Sequence, residues 1–137
     1  MVEINKLADE LSNYEMSDEG LPFEVQPIPG EVEVLQVLVE GREELPIFIS
    51  YADREIICMS YLFKKDEVKD AGANEMNGAM LAINIAMPLS SFATVDDQYV
   101  VFGALSAESD LKAIVHEIEI LSDNTMEAID SLRDYLK

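Results

Sequence analysis

The N-terminal stretch places apolar and polar residues at the spacing of an amphipathic helix. Its apolar positions follow i, i+3, i+4 and i+7, which puts them on one helix face. They are Ile4, Leu7, Ala8 and Leu11. The pattern predicts a short helix over Glu3–Asn13. The next segment, Tyr14–Gly30, contains three prolines, so we expect it to be irregular or at most an edge strand, because proline cannot donate to a sheet ladder.

From Glu31 to Phe63 the pattern becomes that of β-structure. β-branched and aromatic residues are frequent, and polar turns at Gly41–Glu44 and Ala52–Arg54 divide the region. The predicted strands are Glu31–Val39, Leu45–Tyr51 and Glu55–Phe63. Connections this short cannot accommodate a parallel crossover, so a three-stranded antiparallel meander is the simplest arrangement.

A helical period returns over Asp66–Met87, and Pro88 explains where it stops. One stripe holds methionines and small residues, which suit close packing of a helix across a sheet. The stripe is Val68, Gly72, Met76, Ala79, Met80, Ile83 and Met87. Glycine costs about 1 kcal/mol relative to alanine inside a helix, so a break near Ala71–Gly72 is the alternative to one continuous helix.

The remainder of the chain predicts a hairpin and a long helix. Phe92–Val95 and Tyr99–Ala104 flank Asp96-Asp97-Gln98, whose acidic residues tolerate a turn. From Leu111 the apolar residues keep a helical period to the C-terminus, unless Asp123-Asn124 breaks the helix.

The start of this last helix carries several capping residues. Ser106 or Ser109 is the expected N-cap, because a serine hydroxyl can accept from a free amide of the first turn. Glu108 and Asp110 suit the positive end of the helix dipole.

These elements predict an α+β fold with the order α-β-β-β-α-β-β-α, in which helices pack on an antiparallel sheet of about five strands. A chain of 137 residues has the size of one domain and buries roughly two-thirds of its unfolded surface. No repeat or linker divides it, so we expect a single domain over residues 1–137.

The charge of the chain narrows the classes of partner. The net charge is -19, from 28 acidic and 9 basic residues, which disfavours binding to nucleic-acid phosphates or to anionic lipid. Basic partners fit better, although acidity that serves only solubility is the simpler interpretation. The N-terminus lacks a secretory signal, and the apolar stretch Met80–Leu89 is shorter than the roughly 20 residues of a membrane span. We therefore expect a cytoplasmic protein without membrane insertion.

No catalytic, cofactor-binding or metal-binding set stands out. His116 is the only histidine and Cys58 the only cysteine, so neither a triad nor a tetrahedral zinc site is marked. His116 has the setting of an ordinary helix residue, and Cys58 that of a small hydrophobe in a strand. Acidic pairs are numerous, which weakens each one as evidence of a site. They are Asp96-Asp97, Glu108-Asp110 and Glu117-Glu119.

The predicted N-terminal and C-terminal helices carry many apolar positions. The C-terminal helix has more than one packed face needs, and such a surplus often forms a dimer or partner surface. Complete use of both helices in covering the sheet is the equal alternative.

Three segments near the C-terminus resemble the YjfI-like family of small bacterial proteins. They are Tyr99–Ser106, Ile114–Glu119 and Leu121–Ala128, within about the last quarter of the chain. The element order resembles type III secretion chaperones and YbjN-like proteins, in which helices on an antiparallel sheet act as binding modules, often as dimers. YjfI-like proteins are often encoded beside phage-shock-protein-A-like membrane-remodelling proteins, so the resemblance implies an adaptor for such a coiled-coil partner. It carries no catalytic residues.

The favoured hypothesis is a non-enzymatic cytoplasmic adaptor or chaperone-like protein that binds a protein partner, with a homodimer as one form. The alternative is a small enzyme or ligand-binding domain that uses carboxylates such as Asp96 or Asp97. A third hypothesis, drawn from charge alone, is an acidic mimic of nucleic acid.

Overall fold

A computed structural model describes residues 2–14 and 23–137 of the chain, without the side chains of the first two of these residues. This part of the chain holds three α-helices and six strands. They are α1 (Val2–Ser12), β1 (Phe23–Ile28), β2 (Val34–Val39), β3 (Ile47–Tyr51), β4 (Glu55–Lys64), α2 (Ala73–Ala86), β5 (Ser91–Val95), β6 (Gln98–Ser106) and α3 (Leu111–Leu132). The strands form one antiparallel sheet in the order β1-β2-β3-β4-β6-β5.

The predicted α+β class and the order of helices and strands are confirmed, but the expected strand count is one too low. The additional strand is β1, in the segment expected to be irregular or an edge strand; Gly20, Leu21 and Pro22 lie outside the described residues. Within the described residues, β1 pairs only with β2. Its other side completes no ladder there, so Pro27, which lacks an N–H, is tolerated.

All three helices lie on the same face of the sheet. Side chains alternate between faces along each strand, and in β2 this alternation buries Leu35, Val37 and Val39 against α1 and α3. At the other end of the sheet, Met76 and Met80 of α2 pack with aromatic residues of β4 and β6. Within residues 2–14 and 23–137, no helix covers the opposite face.

The segment Asp66–Met87 is not one continuous helix, because it breaks at Gly72, as the alternative prediction had it. Two 3₁₀ turns, Lys65–Glu67 and Asp70–Gly72, come before α2 begins at Ala73. The predicted apolar stripe is also too wide, because only Met76 and Met80 within α2 are buried. The helix covers one end of the sheet, beside the short edge strand β5, and the rest of its surface faces solvent.

The last helix runs without a break through Asp123-Asn124 and ends at Leu132, where a 3₁₀ turn follows. Asn124 does not compete with the helix backbone, because its amide nitrogen donates to Pro88 O at 2.8 Å and to Ser90 Oγ at 2.9 Å. These hydrogen bonds to the segment after α2 therefore occupy the Asn124 amide, which would otherwise compete for the backbone groups of the helix.

The N-cap of α3 is Asp110, and the expectation of Ser106 or Ser109 was wrong. Asp110 has extended backbone angles, and its Oδ1 accepts from Ala113 N at 2.9 Å. The Ser106 hydroxyl instead accepts from Glu108 N at 3.2 Å, within the preceding turn. A carboxylate at this place also complements the positive end of the helix.

Replacing the cap should weaken the protein measurably. We expect Asp110→Ala to lower the free energy of unfolding by about 1 kcal/mol, because a first-turn amide loses its acceptor. Urea denaturation followed by circular dichroism measures the loss. Ser109→Ala is the matched control and should stay within about 0.5 kcal/mol of wild type; equal losses in the two variants would contradict the assignment.

Candidate interaction surface

Of the titratable residues named from the sequence, the structure brings Cys58 and Glu117 together and leaves His116, Asp96 and Asp97 apart from them. His116 is exposed on α3, and Cys58 is buried on the face of β4 that the helices cover. Asp96 and Asp97 are exposed at the turn between β5 and β6, where Asp96 has a left-handed φ of 53°. Among residues 2–14 and 23–137, no three His, Cys, Asp or Glu side chains lie close enough to hold a metal ion.

Cys58 sits in an environment that suppresses thiol chemistry. It is fully buried on the helix-covered face of β4. Burial, and secondarily the negative charge of Glu117, raise the pKa of its thiol to about 12. Since the thiolate is the nucleophilic form, Cys58 is protonated at neutral pH and shielded from solvent.

Glu117 is an acid whose burial the sequence did not reveal. The sequence showed it only as one of several acidic pairs, yet its side chain is 2% exposed. Its Oε1 lies directly over the backbone of Gly103, in the space that a Cβ there would occupy. Oε1 has no hydrogen-bond partner within the described part of the chain. Burial therefore raises the pKa of this carboxyl.

Cys58 and Glu117 are neighbouring polar side chains from which solvent is excluded. Cys58 pairs with Gly103 across β4 and β6, which brings the thiol close to the carboxyl above Gly103. Both side chains are almost without solvent contact. A substrate cannot reach them in this conformation, so their chemistry is limited to effects on stability.

Gly103 is required because Glu117 fills the space beside it. We expect Gly103→Ala to destabilise the protein by at least about 2 kcal/mol, because the new Cβ meets the carboxyl and lies 2.9 Å from Leu89 O. Chemical denaturation of Gly103→Ala, Glu117→Ala and the double variant should show a coupling of about 1 kcal/mol or more.

Gly78→Ala in α2 is the matched control for Gly103→Ala, because a Cβ at Gly78 meets nothing within 4 Å. Alanine there should leave stability unchanged or raise it by up to about 1 kcal/mol. Similar losses at the two glycines would contradict the steric role of Glu117.

The raised pKa of Glu117 gives a pH dependence with a defined sign. The folded protein holds this proton more tightly than the unfolded chain, whose reference value is 4.5. The contribution to stability is therefore complete below that value and is lost as pH rises through the folded pKa. We expect the unfolding free energy of wild type, relative to Glu117→Gln, to fall as pH rises above about 4.5. Glu127→Gln, at an exposed position of α3, should show no such trend, and a flat difference for Glu117→Gln would refute this account.

Surplus apolar surface lies on α2, whereas α1 and α3 use their apolar positions in the core. Ile4, Leu7 and Leu11 of α1 are buried, as are six apolar residues of α3. In α2, by contrast, Leu81 is 70% and Ile85 is 93% exposed, and Leu89, just beyond the helix, is 56% exposed. We call these three residues the outer face of α2. A helix that is apolar all round is typically buried on all sides.

Leu89 is held in an unusual backbone conformation. Its φ is 62°, in the left-handed region that a branched side chain rarely adopts. The flanking residues Pro88 and Ser90 are fixed by the two hydrogen bonds from buried Asn124. The fold thus maintains a strained backbone at a residue whose side chain faces solvent, which is typical of functional positions.

A groove of about 400 Å³ lies between α2 and β5, beside this outer face. Met80, Leu81 and Phe92 give it an apolar lining. Its polar groups are partly satisfied within the chain, since Asn84 Oδ1 accepts from Phe92 N at 2.7 Å and Asn77 Oδ1 accepts from Tyr99 Oη–H at 2.8 Å. Asp96 and Asp97 do not line it, so the groove offers apolar contact and no pair of acids.

A second apolar area lies on the face of the sheet that the helices leave uncovered. Phe48 pairs with Met59, and Met59 with Phe102, in one row across three strands. Phe48 also makes an edge-on ring contact with Tyr61, with 5.8 Å between centroids. We define the open sheet face as Leu38, Phe48, Ile57, Met59, Tyr61 and Phe102. Five of these are half-buried and Tyr61 is 39% exposed.

Comparison with known proteins places the chain in a family. A family model described as an uncharacterized protein conserved in bacteria (DUF2170) matches residues 1–136. The chain belongs to the DUF2170 family. It is 30% identical over 96 residues to YjfI of Escherichia coli K12 and to YjfI of Escherichia coli O157:H7, which covers 67% of this chain and 71% of each YjfI. The predicted YjfI-like resemblance is confirmed.

Two solved structures share the fold at low sequence identity. The crystal structure of YbjN from E. coli superposes with a TM-score of 0.63 and 14% identity, over 96% of this chain and 90% of YbjN. A chain of the heterodimeric ExoU–SpcU complex from the type III secretion system of Pseudomonas aeruginosa gives 0.56 and 10%, over 93% and 95%. The predicted chaperone-like architecture is confirmed. No helix in the described ranges is both long and apolar enough to span a bilayer.

Proposed function

We propose that this chain is a single-domain, cytoplasmic, non-enzymatic adaptor of chaperone-like character, and that its protein partner docks on the open sheet face. The observation that carries the proposal is the apolar character of a sheet face that no helix of the described chain covers. An antiparallel sheet with one solvated face normally alternates apolar-in with polar-out residues. Here Ile57, Met59 and Tyr61 of β4 break that rule.

The row Phe48–Met59–Phe102 gives the proposed docking surface its centre. Side chains directly opposite each other on neighbouring strands lie close enough to form a continuous patch, and this row crosses β3, β4 and β6. Aromatic residues and methionine are enriched in the cores of protein interfaces. Contiguous apolar patches on the surface of a chain mark contact sites for other proteins.

Carboxylates border one end of this face and indicate the chemistry of the partner. A cavity of about 430 Å³ beside the first two strands is lined by Leu38 of the open sheet face and by Glu24, Glu40 and Glu43. An apolar stripe with basic residues on its flank would satisfy both the patch and these acids. The phage-shock-protein-A-like coiled coil that the family resemblance implies is the partner we propose, since amphipathic helices present such stripes.

The structural neighbours support an adaptor role by analogy. One of them belongs to a heterodimeric complex, ExoU–SpcU, so the same fold can serve in binding another protein. At 10% identity this likeness concerns the fold, and the partner surface is argued from the residues of this chain.

Direct binding tests the proposal. A purified phage-shock-protein-A-like protein should bind the full chain saturably in calorimetry, and rising salt should weaken the binding because opposite charges meet. We expect Tyr61→Ala to weaken it at least about 10-fold, because an exposed aromatic contact beside the central row is lost. Met126→Ala, an equally accessible apolar residue on α3, is the control. Absence of saturable binding, or the same loss in the control, would overturn the proposal.

A further inference from the structure

We infer that the outer face of α2 is a self-association surface, in which a second copy of this chain packs against Leu81, Ile85 and Leu89 about a two-fold axis. These three residues include the most exposed large apolar side chains of the described chain. Leu81 and Ile85 follow one another along α2 at i and i+4 and form a ridge on one helix face. Leu89 lies three residues beyond Ala86, the last residue of the helix. The surface is separate from the open sheet face and does not depend on the function proposed for it.

The distribution of charge selects a second copy as the occupant. Met76–Val95 is a run of 20 residues without a single charged side chain, in a chain that carries 28 acidic and 9 basic residues. Two copies, each with a net charge of -19, repel each other over most of their surfaces. A contact between them is least opposed where both surfaces carry little charge. The surface of α2 and β5 is such an area, with Lys65 and Glu127 at its borders.

A basic partner fits this face less well than a second copy does. Recognition of lysine or arginine requires carboxylates around the apolar contacts, and beyond the first turn of α2 the stretch to the end of β5 has none. Glu75, the only charged residue of α2, is in its first turn, where it accepts a hydrogen bond from Tyr135. The next acid along the chain is Asp96, beyond β5.

The ridge and the neighbouring groove give the face the shape that a two-fold contact needs. In such an interface each copy contributes the same patch, so a projecting element must meet a recess on the same surface. The ridge projects from α2, and the groove of about 400 Å³ between α2 and β5 lies beside Leu81 with an apolar lining. The ridge of each copy can therefore enter the groove of the other.

Leu89 links this surface to the rest of the fold. Its left-handed φ of 62° is maintained by Asn124 of α3 through Pro88 and Ser90. A glycine at this place would remove the strain, and a polar residue would remove the exposed apolar area. Leu89 keeps both the strained backbone and the exposed apolar side chain. Burial of this side chain in a dimer explains why a leucine is present.

Sedimentation equilibrium of the full chain tests the inference. Wild type should show a species of twice the 15.3 kDa chain mass, and Ile85→Glu should raise the dissociation constant at least about 30-fold. Leu89→Gly should also weaken the dimer while the circular dichroism of the fold is kept. Val32→Glu, at another apolar residue that is 63% exposed, is the matched control and should leave the dimer intact.

The salt dependence separates this contact from one made with a basic partner. Two like-charged copies should associate more tightly as ionic strength rises from about 0.01 M to about 0.1 M, because the Debye length falls from about 30 Å to about 10 Å. A wild-type chain that stays monomeric at high concentration would overturn the inference. So would a dimer that Val32→Glu weakens as much as Ile85→Glu does, or one that salt dissociates.

A cross-link supplies a geometric test of the two-fold arrangement. Ile85→Cys should form an intermolecular disulfide under mild oxidation, because a two-fold contact brings the same helix face of both copies together, while buried Cys58 should stay reduced. Val32→Cys should give no comparable yield. Two variants distinguish the surfaces. Ile85→Glu should lose self-association and keep binding at the open sheet face, and Tyr61→Ala should lose that binding and keep self-association.

Discussion

The packing of α3 along the sheet is the interaction on which the rest of the structure depends. Its buried face contacts β3, β4 and β6 and extends through both hydrophobic clusters, with Ile118 and Leu121 in the larger one and Leu132 in the smaller. The same helix fixes two distant loops by side-chain hydrogen bonds. Ser122 and Asp123 accept from Arg42 of the β2–β3 loop, and Asn124 donates to the segment after α2.

One-sided packing follows from this arrangement and leaves two apolar areas exposed. Since the helices share one face of the sheet, the apolar residues on its other face have no cover within the described chain, and α2 can bury only the side that carries Met76 and Met80. The outer face of α2 lies in a stretch of the chain without charged residues, whereas carboxylates border one end of the open sheet face. Binding of another protein is the kind of function that this combination favours, and the two areas allow two contacts at once.

Burial also explains why the reactive side chains of this protein make no evident site. Cys58 and Glu117 are close in space, but desolvation stabilises the neutral form of each. His116 and the acids of the β5–β6 turn are exposed to solvent, whereas Cys58 and Glu117 are buried. A nucleophile and a base need both proximity and access to substrate, and the fold gives no pair of these residues both properties.

Local sequence patterns determined most of the elements, because side-chain periodicity and turn chemistry act between residues close in the chain. The helix spacing of Ile4 to Leu11, the break before Ala73 and the β5–β6 hairpin all followed from such neighbours. The tertiary structure alone decided the pairing of β1, the burial of Glu117 over Gly103, the exposure of Ile85 and the conformation of Leu89. Each of these depends on what a distant segment places beside the residue, and periodicity shows which side chains share a face without showing what covers it.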